Sequence, residues 1–365
     1  KSRENTKEKL WQQYYAEHPD GYRLSQFKRH YLQWLKVRNP VMHIEHKAGE
    51  KMYVDYAGKK LQVLDAETGE VLDEAILEEG RQQFIDIAFE ELDYRQQILG
   101  ESYPFEVDAT RHRLALKEDQ ANQPGQVVYL FCLLACAIRE SKLQPTNVLT
   151  QAEQQIADAF QVCACLAAGG YLNGEVSSFG FPRATGTGFL AALRQTFARF
   201  GFGDVRTNDD IPDGLPTSLK DGGIDVIAWR NHPDGMPGKL YLVGQCASGK
   251  NWRDKSVIEY IKQLHGSWFT QQPAEHSTPA MFIPFPFHHD IDGSHGSFSE
   301  KVRTRYGYEE RRFGVIFDRL RITHFANACM AFADPHREQV EGSERFDQVV
   351  AWVQATRQTA GLVHA

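Results

Sequence analysis

The sequence lacks any apolar run long enough to cross a membrane. The longest, Val127 to Ile138 (VVYLFCLLACAI), stops after twelve residues where about 18 are needed. It reads as a buried element, and no membrane partner is expected. A signal-peptide pattern is also missing, and the first residue is Lys1, so the start is expected to be truncated or processed. No paired CxxC knuckle occurs among Cys132, Cys136, Cys163, Cys165, Cys246 and Cys329. Four of the six lie in Ala/Leu-rich stretches, where free cysteine behaves as a small core hydrophobe. A zinc site from Cys132/Cys136 with Cys163/Cys165 matches no common spacing, and the cysteine usage fits a reduced, cytoplasmic setting. Gly180, Gly186 and Gly188 are not followed by Gly-Lys-Ser/Thr, which removes a phosphate loop.

An excess of positive charge is absent too, since the net charge is −7. The average hides a split: +1 over 1–74, −8 over 75–182, +2 over 183–324 and −2 over 325–365. A nucleic-acid partner is therefore not excluded, because phosphate contacts need a local basic surface and not a basic whole. What is present is ordinary for a soluble globular protein: 42 % hydrophobic and 24 % charged residues over 365 positions, enough for two or three domains.

Residues 6–17 show helical periodicity, broken by Pro19-Asp20-Gly21. Ser25 then caps a second helical stretch, SQFKRHYLQWLKVR, which mixes aromatics with Lys28, Arg29, His30, Lys36 and Arg38. Such a helix either lies on DNA or presents a solvated amphipathic face, and charge alone favours the second. Two alternating strands follow in GEKMYVDYAGKKLQVLDAETGEV. Over about residues 6–73 the chain resembles the transposases of the IstA class of insertion sequences. The matching residues are His18 to Tyr22, Ser25-Gln26-Phe27 and Gly49-Glu50-Lys51-Met52-Tyr53-Val54-Asp55-Tyr56-Ala57-Gly58. The resemblance implies that Asp55 opens the acidic triad of an RNase H-like core. No second Asp or final Glu of that triad can be placed after Glu74, so residues 1–75 are expected to be a transposase remnant.

From Glu78 the sequence is helical and acidic, and Glu90, Glu91, Asp93, Glu153 and Asp158 read as a solvated face. Gly169-Gly170 is read as closing a helix that begins near Thr150. A second helix, FLAALRQTFARF, ends at Gly201. Then Asp221-Gly222-Gly223 leads into the apolar strand IDVIAW, and turns at Asp234-Gly235 and Pro237-Gly238 lead into KLYLVGQC. This hairpin places Asp225 near one strand's start and Gln245 near the other's end. A carboxylate and an amide oxygen suit Mg²⁺, which takes oxygen ligands.

This stretch, about residues 186–290, resembles the PD-(D/E)XK or restriction-endonuclease-like fold, most closely its Mrr-type branch. The resemblance implies that Asp225 and Gln245 are metal-binding catalytic residues, with Mg²⁺ or Mn²⁺ as cofactor. Ala247 stands where the pattern has Lys, and Lys250 is the substitute expected to stabilise charge on the phosphate. FLAALRQTFARF offers no helix acid, so Glu175 is the candidate for that role. His288-His289-Asp290-Ile291-Asp292 lacks zinc-protease spacing and reads as a polar loop near the site. Lys301, Arg303, Arg305, Arg311 and Arg312, interleaved with Tyr306 and Tyr308, are the nucleic-acid contact candidates; the alternative is a solvated helix face.

The expected fold class is α/β (α+β), a mixed sheet flanked by helices. Three segments are expected: 1–75 as the remnant, 76–182 as a helical acidic module and 183–365 as a nuclease domain. The resemblance implies a metal-dependent DNA endonuclease of a restriction or phage-defence system. It would be cytoplasmic, with DNA as partner and a neighbouring subunit or a second copy as further partners. The alternatives are an inactive nuclease-fold subunit and a DDE-type transposase.

Overall fold

The computed structural model describes residues 11–16, 18, 19, 21–24, 26, 27, 30, 74–107, 114–117, 123–143, 149–183, 186–215, 220–249, 251–274, 276–287 and 298–359. The chain divides into two compact units, Lys1–Lys51 and Met52–Ala365. In the first, residues 11–16 are helical and Tyr14 is the hub of an aromatic knot. Its hydroxyl accepts from the Tyr22 N–H at 3.0 Å, and its ring meets Phe27 at 5.0 Å between centroids. Tyr22 in turn stacks on His30 at 4.5 Å. These aromatics spend their faces on one another. Ser25, Lys28, Arg29, Lys36, Arg38 and the strands expected around Asp55 lie outside the described residues.

In the second unit the described elements run in chain order as follows. Helix α1 (Glu74–Leu99) is followed by a short hairpin, β1 (Phe105–Val107) and β2 (Leu114–Leu116). Helices α2 (Pro124–Arg139) and α3 (Leu149–Leu172) lead to β3 (Glu175–Ser178) and α4 (Phe189–Phe200). Then come β4 (Asp204–Val205), β5 (Val226–Arg230), β6 (Leu240–Cys246), α5 (Val257–Trp268), β7 (Phe269–Gln271) and β8 (Thr278–Phe282). The last elements are α6 (Phe298–Phe313), β9 (Val315–Phe317), α7 (Arg319–Met330), α8 (Asp334–Arg337) and α9 (Phe346–Thr359).

A five-stranded mixed sheet of order β3-β5-β6-β8-β9 is the centre of this unit. The first three strands form an antiparallel meander, and β8 and β9 then add in parallel through helical crossovers. Strand alternation divides the side chains between two faces. Val226, Ala228, Leu242, Ala280 and Phe282 pack under α2, α3, α7 and α9. Ile227, Trp229, Tyr241 and Val243 pack under α4 and α5. The sequence therefore reads β5 and β6 as nearly continuous apolar runs because both faces are covered.

The core on the α3 side takes Leu92 from α1, Phe131 from α2, Cys163 from α3 and Val353 from α9. The boundary expected at 182/183 falls in the loop after β3, and this core runs continuously across it. Gly169-Gly170 does not close α3, which continues to Leu172. A Cβ on Gly170 would collide with the Phe325 carbonyl, so the glycine lets the backbone of α7 approach. No helix among the described residues is long and apolar enough to cross a membrane.

Candidate active site

The chain enters β5 through Asp221-Gly222-Gly223-Ile224-Asp225. Gly222 and Gly223 have φ of 65° and 79°, and a Cβ on Gly223 would press into the Tyr260 ring. The Asp221 carboxylate accepts from the Gly223 N–H at 2.8 Å, which fixes the turn. Asp225 is thereby delivered at the mouth of β5 with its backbone clasped on both sides. Its N–H donates to the Gly244 carbonyl at 2.9 Å, and its own carbonyl accepts from Phe179 and Gly180 at 2.8 and 3.0 Å.

The Asp225 carboxylate accepts from the Cys246 N–H at 2.7 Å. The carbonyl of the same cysteine accepts from Lys255 Nζ at 3.2 Å. One strand end thus holds an acid and a cation beside each other. Dense packing pushes the Asp225 carboxyl up to about 6; the Cys246 N–H opposes this, nearby Asp221 adds to it and the Lys255 ammonium draws it back. Asp225 is nevertheless partly open to solvent. A raised carboxyl at an opening, with a cation at hand, makes Asp225 a functional-site candidate.

Gln245 lies one residue beyond the ladder pair Val226↔Gly244, as Asp225 does on the other strand. Its side chain is buried and its Oε1 has no hydrogen-bond partner. An oxygen beside the Asp225 carboxylate comes from α3. Gln161 Nε2 donates to Ser178 Oγ at 2.8 Å, and its Oε1 faces Gly180. A Cβ on Gly180 would stand 2.5 Å from Gln161 Oε1 and 2.6 Å from Asp225 Oδ1, so the two oxygens converge where the glycine leaves space. The Asp225 carboxylate and the Gln161 amide oxygen are donors of the kind a hard divalent cation takes, with its other positions left to water and phosphate. The Gly180 cradle leaves space between them, and Gln245 adds a buried oxygen without a hydrogen-bond partner on the neighbouring strand.

Other expected positions fall elsewhere. Glu175 pairs with Trp229 at the far end of β5, four residues from Asp225, or roughly 13 Å along the strand. There it accepts from Asn231 Nδ2 at 2.5 Å and lies 3.6 Å from Arg199, so it does not reach the site. The helix leading into the sheet is α3 and not α4, and its polar residue at the site is Gln161. Lys250, Asp55 and residues 288–297 lie outside the described residues. Ala247 is fully buried and packs with Trp252. Of the basic cluster, Arg305 pairs with buried Glu309 at 2.7 Å, and Arg312 donates to the Arg253 carbonyl at 2.7 Å. Arg253 also pairs with Glu309 at 2.9 Å. Two of the five cations therefore anchor the turn that carries Lys255, while Arg303 and Arg311 are exposed and Lys301 half-buried. The four cysteines of α2 and α3 sit in the apolar core or at its edge, and burial raises each thiol. No group of three or more His, Cys, Asp or Glu side chains gathers as a metal cluster among the described residues.

Sequence spacing missed Gln161 and Lys255 for a shared reason: both come back to Asp225 through a chain reversal. A turn at Trp252–Asp254 returns Lys255 to Cys246, with the Lys255 N–H donating to the Trp252 carbonyl at 3.3 Å. The available signal for Gln161 was that α3 runs straight into the first strand of the sheet.

No family model and no solved structure matches the chain. Part of it is similar to a putative transposase for insertion sequence IS1162 of Pseudomonas fluorescens, 44 % identical over 64 residues. A putative transposase, y4uI, of Sinorhizobium fredii is likewise 44 % identical over 64 residues. These 64 residues are 17 % and 18 % of this chain, and the chain spans only 12 % of the length of either relative. Similarity to insertion-sequence transposases thus covers about one sixth of the chain.

Proposed function

We propose that the chain processes DNA by metal-dependent hydrolysis of phosphodiester bonds, on a restriction-endonuclease-like core of the Mrr-type branch. The observation that carries the reading is the pairing at Cys246, whose N–H holds the Asp225 carboxylate and whose carbonyl holds Lys255. The strand order supports it: a helix, an antiparallel three-strand meander, a helix and a parallel strand. DNA as substrate is supported by the similarity to insertion-sequence transposases and by the exposed cations of α6.

Asp225 and Gln245 would hold Mg²⁺ or Mn²⁺, with Gln161 as a further oxygen donor. When bound, such an ion polarises the phosphate and supplies a water of lowered pKa. Lys255 takes the role that spacing gave to Lys250: its ammonium faces the negative charge that builds on the phosphate. Asp225 must be ionised to hold the ion, so the raised carboxyl sets protons in competition with the metal.

A nuclease-fold subunit without activity is the second reading, and Ala247 favours it, because a core methyl fills the position where the pattern has lysine. Incubation of supercoiled plasmid with Mg²⁺ or Mn²⁺ separates the readings. The proposal expects nicking by the unmodified chain and none by Asp225→Ala, while Asp55→Ala stays active. Nicking lost in Asp55→Ala but kept in Asp225→Ala would make the transposase-like segment the enzyme. An inert unmodified chain supports the second reading.

A further inference from the structure

The loop that follows β3 passes over the site, and one residue beyond Gly180 it exposes Phe181. That side chain is 50 % exposed, beside a carboxylate that is itself partly open to solvent. Lys220 Nζ stands 5.5 Å from its ring centroid, so a cation lies over one face of the ring. Lys220 belongs to the other loop leading into Asp225, and its own carbonyl accepts from Arg183 NH2 at 2.5 Å. The two loops are thus tied together at the rim. Gly180, adjacent to Phe181, donates its N–H to the Asp225 carbonyl and faces the Asp225 carboxylate. Phe181 thus follows directly on the glycine whose missing side chain faces the Asp225 and Gln161 oxygens, which places its backbone at the rim of the site.

We propose that Phe181 and Lys220 form a stacking platform for an unpaired nucleobase next to the phosphate acted on at Asp225. The platform rests on the nuclease reading and names its substrate class: single-stranded or locally unpaired DNA. The exposed ring offers its surface to a base, which every base accepts because each has a π-face. Lys220 meets the flanking phosphate. A duplex keeps its bases stacked on one another and has none free for the ring.

The test is binding of fluorescent oligonucleotides, single-stranded and duplex, measured by anisotropy with Ca²⁺ in place of Mg²⁺. Phe181→Ala is expected to weaken single-strand binding about tenfold and to leave duplex binding within a factor of two, as removal of one base–aromatic stack would do. Phe181→Trp should restore it, and Lys220→Ala should weaken it less and flatten its salt dependence. Thermal unfolding of each variant serves as the folding control, since both side chains are exposed. Equal loss on single strand and duplex, no loss in Phe181→Ala, or no single-strand binding by the unmodified chain would overturn the platform. Phe181-dependent binding without cleavage would sink the nuclease reading alone. Cleavage that ignores Phe181 on single-stranded substrates would sink the platform alone.

Discussion

Burial holds the Asp225 carboxyl at about 6, against an ordinary value of 3.8, and the Cys246 N–H and Lys255 only partly offset it. A raised folded value means that the folded state binds the proton more tightly than the unfolded one. The stability this provides is fully present below about pH 3.8 and is lost as pH rises through about 6. Above that, the ionised carboxylate is a burden on the fold. Asp225→Asn, whose amide oxygen still accepts from the Cys246 N–H, is expected to be more stable than the unmodified chain at pH 8. The ceiling is about 3 kcal/mol, because each tenfold change in proton affinity between 3.8 and about 6 is worth roughly 1.36 kcal/mol. At pH 4 the gain should nearly vanish. Urea unfolding at the two pH values checks this, and an Asn variant less stable at pH 8 would contradict the placement of the carboxylate. At this scale the placement of Asp225 and Gln245 at facing strand ends was legible, because Gly-Gly-Ile-Asp and the following strand fix it locally. Gln161 and Lys255 were not, since only tertiary packing of α3 and the Trp252 turn brings them there.

Among the elements, the strands were legible as apolar runs between glycine turns, and α4 by its spacing and the left-handed Gly201 after it, with φ of 78°. The glycine pair of α3 was not, because Gly-Gly inside a helix has the same local appearance as a stop. Its role depends on α7, whose Phe325 carbonyl stands where a Gly170 side chain would be. Alanine at 170 would gain up to about 1 kcal/mol in helix propensity but meets backbone that cannot rotate away. The clash wins, and Gly170→Ala is expected to lose about 1–3 kcal/mol on unfolding. A gain in stability would mean that α3 and α7 do not pack so closely. The edge strand β3 shows a second relation invisible locally: Val176 bridges to Val340, and the Glu341 carboxylate accepts from the Ser178 N–H at 2.8 Å. A segment far along the chain thereby covers an edge that would otherwise be open to pairing.

For the whole molecule, the charge split of the sequence has a structural counterpart, because the acidic helices cover one face of the sheet while the cations of α6 lie on another element. Arg305 and Arg312 are engaged with Glu309 and the Arg253 carbonyl, which leaves Lys301, Arg303 and Arg311 for phosphate. Replacing these three with alanine should reduce the salt slope of DNA binding by about 0.9 for each duplex phosphate no longer neutralised. An unchanged slope would remove α6 from the interface. The proposed chemistry is DNA cleavage by Asp225 and Lys255, joined through Cys246. Its most direct test is the rate of Mg²⁺-dependent cleavage by the unmodified chain, Asp225→Ala, Lys255→Ala and Lys250→Ala, side by side. Losses of about a hundredfold or more are expected in Asp225→Ala and Lys255→Ala, with a near-normal rate in Lys250→Ala. A full rate in Asp225→Ala, or in Lys255→Ala with Lys250→Ala dead, would contradict this chemistry.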